Sequence, residues 1–137
     1  MRDTFDFLDW LFTLFRQDET LAVLLDITDV DSIEQWDRKV RRTFADNTQI
    51  TADELSFFDF SFIYVNSEMK NHMFNKELLE FNIYVSNPSR ASDIYKRIKK
   101  VLKINCKDMR CTTPVQSGCP VSGILRYTFR TRPIVGA

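Results

Sequence analysis

Histidine is nearly absent from this chain. His72 is the only one in 137 residues, which removes most chemistry that uses an imidazole as base or metal ligand. Glycine is scarce as well, with 3 residues. No glycine-rich phosphate loop of the G-x-G-x-x-G or Walker type occurs, and neither G-x-S-x-G nor H-E-x-x-H is found. An excess of one charge is missing too: 19 Lys+Arg face 19 Asp+Glu, so the basic surplus that drives tight binding to nucleic-acid phosphates is lacking. No apolar run reaches the roughly 20 residues that span a bilayer as a helix, so no membrane partner is expected. Acids at Asp3 and Asp6 interrupt the first apolar stretch. That stretch does not read as a secretory signal, and a cytosolic chain is expected.

Cysteine is odd in number, and its spacing, Cys106-x4-Cys111-x7-Cys119, lacks the paired short intervals of a zinc site. Reduced, partly buried thiols are expected, with no metal and no cofactor. A Cys106–Cys119 or Cys111–Cys119 bridge is open by proximity, but a reducing compartment opposes it.

What is present is apolar. Hydrophobic residues make up 44% of the chain, enough to build a core, and the length suits one domain over residues 1–137. Twelve phenylalanines are many for so small a body, and some are expected at a subunit interface, where aromatics are enriched.

The best-defined block runs from Leu78 to Leu102. Leu79, Phe81, Ile83 and Val85 alternate as in a strand. Asn87-Pro88 breaks the pattern, and Ala91, Ile94, Tyr95, Ile98, Val101 and Leu102 then recur at helical spacing. Ser89 is the expected cap of this helix, which should run to about Lys103 and show a basic outer face of Arg90, Lys96, Arg97, Lys99 and Lys100.

Upstream, Phe5, Leu8, Leu11, Phe12 and Phe15 predict an amphipathic helix, with Asp3 or Thr4 as its cap. Asp18 is the expected cap of a second short turn holding Leu21, Leu24 and Leu25. Asp26 to Gln35 reads as an acidic loop. Arg38 to Phe44 reads as an edge strand with Val40, Arg42 and Phe44 on one side, and Thr51-x-x-Glu54 resembles a capping box. Phe57 to Val65 is a strand with Phe58, Phe60 and Phe62 on one face and Asp59, Ser61 and Ile63 on the other. It should pair antiparallel with the strand over 76–86 through a long tip. Residues 103–123 read as a second loop. Both loops are expected to be mobile in the free chain and ordered in an assembly. Leu125, Tyr127 and Phe129 should face inward from the last strand. The predicted fold class is α+β: a mostly antiparallel four-stranded sheet, with an N-terminal helix and a second helix packed on one face.

The chemistry on offer is thin. Asp26, Asp29, Asp31 and Glu34 lack the turn glycine of a calcium loop and read as a solvated acidic loop. Arg126, Arg130 and Arg132 share a face of the last strand with Thr128 between them, and Arg42 is expected to join them from the edge strand. Such a row reads as a solvated face, as salt bridges to an acidic neighbouring subunit, or as a phosphate-contacting surface. An RNA-binding sheet wants exposed aromatics beside its arginines, and Tyr127 and Phe129 point the other way. The candidate contact residues are therefore Arg42, Arg126, Arg130 and Arg132, the acids Asp29, Asp31 and Glu34, and the hairpin tip with His72, Met73 and Phe74. No catalytic residue is assigned.

The strand Lys76-Glu77-Leu78-Leu79-Glu80-Phe81-Asn82-Ile83-Tyr84-Val85 and the helix from Ser89 to Leu102 resemble the small neck and tail-completion proteins of long-tailed bacteriophages, the tail-terminator and head–tail joining group. The opening Asp18-Glu19-Thr20-Leu21-Ala22-Val23-Leu24-Leu25 and the closing Gly123-Ile124-Leu125-Arg126-Tyr127-Thr128-Phe129 are similar to that family's ends. The resemblance implies a virion protein, assembled in the host cytoplasm, that closes into a homo-oligomeric ring, often a hexamer. Its partners would be the tail-tube protein and a head-completion or connector protein, with DNA passing through the channel without sequence-specific binding. The alternative is a small α+β nucleic-acid-binding module using the Arg126, Arg130 and Arg132 face.

Overall fold

The computed structural model describes residues 4–65, 76–106 and 110–131. The expected tip residues His72, Met73 and Phe74, and Arg132, lie outside the described residues. The fold is α+β. Helices α1 (Thr4–Arg16), α2 (Glu19–Leu24) and α3 (Ile33–Lys39) come first. The two-residue strand β1 (Val40–Arg41), a single 3-10 turn at Ala52–Glu54, and strands β2 (Phe57–Val65) and β3 (Lys76–Val85) follow. Helix α4 (Pro88–Asn105) and strands β4 (Val115–Ser117) and β5 (Leu125–Thr131) complete it.

Among the described residues the sheet has five strands in the order β1-β2-β3-β5-β4, one more than expected. The β2–β3, β3–β5 and β4–β5 pairs are antiparallel, whereas β1 runs parallel to β2 with Val40 opposite Phe58. The sheet is therefore mixed. The extra strand, β4, comes from the stretch that reads as loop; three residues of unremarkable composition carry too little periodicity to announce a strand.

Register places the core. Phe60 pairs with Phe81, and Phe81 with Phe129. Phe58, Phe60, Leu79, Phe81, Ile83, Val85 and Phe129 thus share one face, where they pack with Phe15, Ile94, Ile98 and Leu102 from the helices. Phe81 and Phe129 stack at 4.8 Å, and Phe15 meets Phe58 edge-on at 5.3 Å, geometries that aromatic quadrupoles favour. Among the described residues, eight phenylalanines are buried: Phe7, Phe12, Phe15, Phe57, Phe58, Phe60, Phe81 and Phe129. Most of the aromatic surplus therefore goes into the core and not to an outer surface.

The caps differ in one place from the sequence reading. Asp18 caps α2 as expected, accepting from the Leu21 amide at 2.9 Å. At α4 the cap is Asn87, which accepts from the Arg90 amide at 2.8 Å, with Pro88 at the first helical position. Proline there needs no amide hydrogen, so the helix starts one residue before the proposed Ser89 cap and runs on to Asn105. Thr51 makes no capping hydrogen bond with its side chain.

The stretch at 26–44 departs most from expectation. Residues 33–39 form α3, capped by Ser32, and not a loop running into a strand. Trp36, fully buried, anchors this helix, and its indole N–H donates to the Val30 carbonyl at 2.9 Å. A single buried tryptophan on a two-turn helix gives no repeated apolar period to read.

Candidate interaction face

Helices cover one side of the sheet. The other side carries the inverse alternation: Phe57, Asp59 and Ser61 on β2; Glu80, Asn82 and Tyr84 on β3; Arg126, Thr128 and Arg130 on β5. At one end the loops at 45–55 and 119–124 cover it. There Ile50, Phe57, Tyr84 and Ile124 form a second, smaller core, with Phe57 and Tyr84 stacked at 4.6 Å. The remainder is a cleft of about 680 Å³ whose walls include Phe44, Glu80, Asn82, Val115, Arg126 and Arg130.

A row of polar groups crosses the floor. The Arg126 Nε donates to Ser117 Oγ at 2.9 Å. Ser117 and Thr128 hydroxyls meet at 2.9 Å. Thr128 donates to Asn82 Oδ1 at 2.7 Å, and Asn82 Nδ2 donates to Asp59 Oδ1 at 2.9 Å. The second Asp59 oxygen accepts from the Ala45 amide at 2.9 Å. Because Thr128 spends its proton on Asn82, Ser117 must be the donor to Thr128. Apart from a longer approach of the Ser117 hydroxyl to the Arg126 carbonyl at 3.5 Å, the donors point from Arg126 toward Asp59, and one hydrogen-bonded row links β4, β5, β3 and β2 to the 45–55 loop. Such a connected network also fixes the register of the strands it crosses.

Asp59 ends this row fully buried. Loss of solvent pushes its pKa up to about 6, against hydrogen bonds from Ala45, Asn82 and Tyr84 and the nearby Arg41 charge, which all pull it down. Burial likewise raises the Tyr84 hydroxyl to about 12, with the Asp59 charge adding to it. Arg41 packs its guanidinium 3.8 Å from the Phe57 ring centre, a cation–π arrangement. Its Nη1 donates to the Gln49 carbonyl at 2.9 Å, and burial lowers its pKa.

Of the expected arginine row, Arg126 and Arg130 do share this face. Arg130 pairs with Glu80 directly across the strands at 3.0 Å, with side chains 49% and 16% exposed, leaving the outer edge of the guanidinium at the surface. Arg126 also donates to the Gly118 carbonyl. Arg42 does not join them. Val40 faces the core, and alternation puts Arg42 on the helix side with it. There its Nη1 bonds Asp9 at 2.7 Å and its Nη2 bonds Asp37 at 3.0 Å, with the guanidinium 4.4 Å from the Phe12 ring centre. The arginine that turns from β1 to the helix-free side is Arg41, one residue earlier, and it lies at the loop-covered end over Phe57. The parity of a two-residue strand, set by the α3 junction, decides this.

The acids Asp29, Asp31 and Glu34 are exposed and project from a pinned turn on the helix side. Asp29 Oδ1 accepts from the Asp31 amide at 3.1 Å, and Gln35 Oε1 accepts from the Thr28 and Asp29 amides at 3.0 and 3.1 Å. The Trp36 bond to Val30 closes the turn. The expected solvated loop is thus a fastened knob carrying Val30 and Ile33, 51% and 54% exposed, among its carboxylates. The basic face expected on α4 is partly engaged as well. Arg97 Nε donates to both Asp18 oxygens, at 2.9 and 2.8 Å, and Arg90 donates to the Leu24 carbonyl at 2.7 Å. Cys106, Cys111 and Cys119 are half-buried thiols, and burial raises the pKa of Cys111.

No group of three or more His, Cys, Asp or Glu side chains suited to a metal ion is found among the described residues. No family model matches the chain, and no curated protein matches it.

Proposed function

We propose that the chain is a structural protein of a tailed-phage virion that closes into a homo-oligomeric ring, with six copies as the expected number. It would cap the tail tube and dock it to the head. The observation that carries this reading is the half-covered sheet face, a wide cleft with charged walls whose polar floor has no chemistry of its own. The hydroxyls of Ser117 and Thr128 have an amide, Asn82, as their final acceptor before Asp59. An amide does not take up a proton, so neither hydroxyl has the adjacent base that activates a nucleophile. The face is suited to contact and not to turnover. The resemblance of the β3–α4 block to tail-completion proteins supplies the biological setting: tail-tube protein on one side, a connector or head-completion protein on the other, and DNA passing through the channel.

The nucleic-acid reading is less favoured. Arg126 and Arg130 already donate within the chain. The aromatics of the sheet on this face, Phe57 and Tyr84, are buried, which among the described residues leaves Phe44 on the cleft wall as a lone exposed ring rather than a row on which successive bases could stack.

Native mass spectrometry and electron microscopy of the purified chain, alone and with isolated tail tubes, test the proposal. Closed rings in either condition are expected. A chain monomeric in both conditions that binds DNA with a steep salt dependence returns the arginine face to the nucleic-acid reading.

A further inference from the structure

The acidic knob and the basic cleft lie on different layers of one subunit. The knob sits on the helix side, where α3 packs against β1 and β2. The cleft opens on the helix-free side, toward the opposite edge strand, β4. Their compositions match. The knob offers the carboxylates of Asp31 and Glu34 around exposed Val30 and Ile33. The cleft offers Arg126 and Arg130 beside Val115, 66% exposed, and Phe44, 39% exposed. Within one chain these surfaces face apart, so knob and cleft can meet only between copies.

We propose that the Asp29–Glu34 knob of one copy docks into the Arg126–Arg130 cleft of the next; this rests on the ring-forming reading above and names the contact that builds the ring. The occupant is a second copy because the chain itself carries the complementary surface. The contact is heterologous, since two different patches meet, and heterologous contacts close into rings or grow into filaments according to their rotation. The knob is prepared for the role. Gln35 and Trp36 hold its backbone before any partner arrives, so little conformational entropy is left to lose on docking. On the cleft side, Glu80 and Ser117 hold the two arginines in place. The aliphatic side chains would supply the buried area, and the charges would fix orientation and exclude the reverse pairing.

The test is charge exchange read by sedimentation velocity and native mass spectrometry over a concentration series. Asp31→Arg and Arg130→Glu should each raise the concentration for half-assembly about tenfold, equivalent to about 1.4 kcal/mol per contact. The double variant carries the swapped pair at every interface and should return near the wild-type value. Val30→Asp changes no arginine and leaves the knob's backbone bonds intact; it should weaken assembly alone, which guards against a folding defect in Arg130→Glu. Wild-type rings that ignore both charge reversals, or a double variant no better than the singles, overturn this contact and leave the ring reading standing. A wild type that stays monomeric both free and on tail tubes overturns the two together.

Discussion

Asp59 sits between phenylalanines in a strand, and its carboxyl is held by the Ala45 amide and Asn82 at the end of the polar row. Its pKa of about 6 lies above the ordinary carboxyl value of 3.8, so between these pH values the folded chain binds more protons than the unfolded one. Stability contributed by this group is therefore fully present below about pH 4 and is lost as pH rises through 6, by at most about 3 kcal/mol. Asp59→Asn cannot ionise. Urea titrations from pH 4 to 7 should show wild type losing stability relative to Asp59→Asn across that window. A constant difference between the two would mean the carboxyl titrates normally. The three half-buried cysteines belong to the same scale. Replacing Cys106, Cys111 and Cys119 together by serine should leave assembly intact, and elemental analysis of the wild type should find bound zinc near zero; stoichiometric zinc would refute the absence of a metal role.

At the scale of elements, α4 buries Ala91, Ile94, Ile98, Val101 and Leu102. Ile94, Ile98 and Leu102 are fully buried against Phe81, Ile83 and their neighbours. Ile98→Ala should cost about 2–5 kcal/mol in chemical denaturation, since the rigid sheet beneath cannot collapse into the void. A loss below about 0.5 kcal/mol would show the helix is not packed there. The junction of α2 with α4 depends on Asp18, which caps one helix and accepts Arg97 of the other. Asp18→Ala removes both roles and should cost about 2 kcal/mol or more. Asp18→Asn keeps the capping oxygen and should lose less. Equal losses from the two variants would place the whole effect in the charge pair.

At the scale of the whole molecule, one sheet face builds the main core and the other is covered at one end and open as a cleft at the other. The ring proposal makes that second face an interface, and it carries a salt signature. If charge orients the contact, raising salt should slow assembly markedly while weakening the finished ring only moderately, because exposed pairs are screened more than buried apolar contacts. Light scattering at low and high salt measures both. Assembly rates indifferent to salt would remove the charged residues from the contact.

The sequence by itself determined the alternating strands β2, β3 and β5, their inward faces, helices α1 and α4, and the shared outward face of Arg126 and Arg130. Each is written in a repeated period over seven residues or more, and side-chain direction in a regular element follows from position alone. It also made the α+β class legible. Only the tertiary structure decided the rest, because short elements carry no period. Val40–Arg41 and Val115–Ser117 become strands through their neighbours' hydrogen bonds. Helix α3 exists because Trp36 is buried beneath it. The parity at β1 sends Arg42 to Asp9 and Asp37 and turns Arg41 to the helix-free side, over Phe57. The row from Arg126 to Asp59 joins residues 67 positions apart, so it arises only when the strand order brings them side by side.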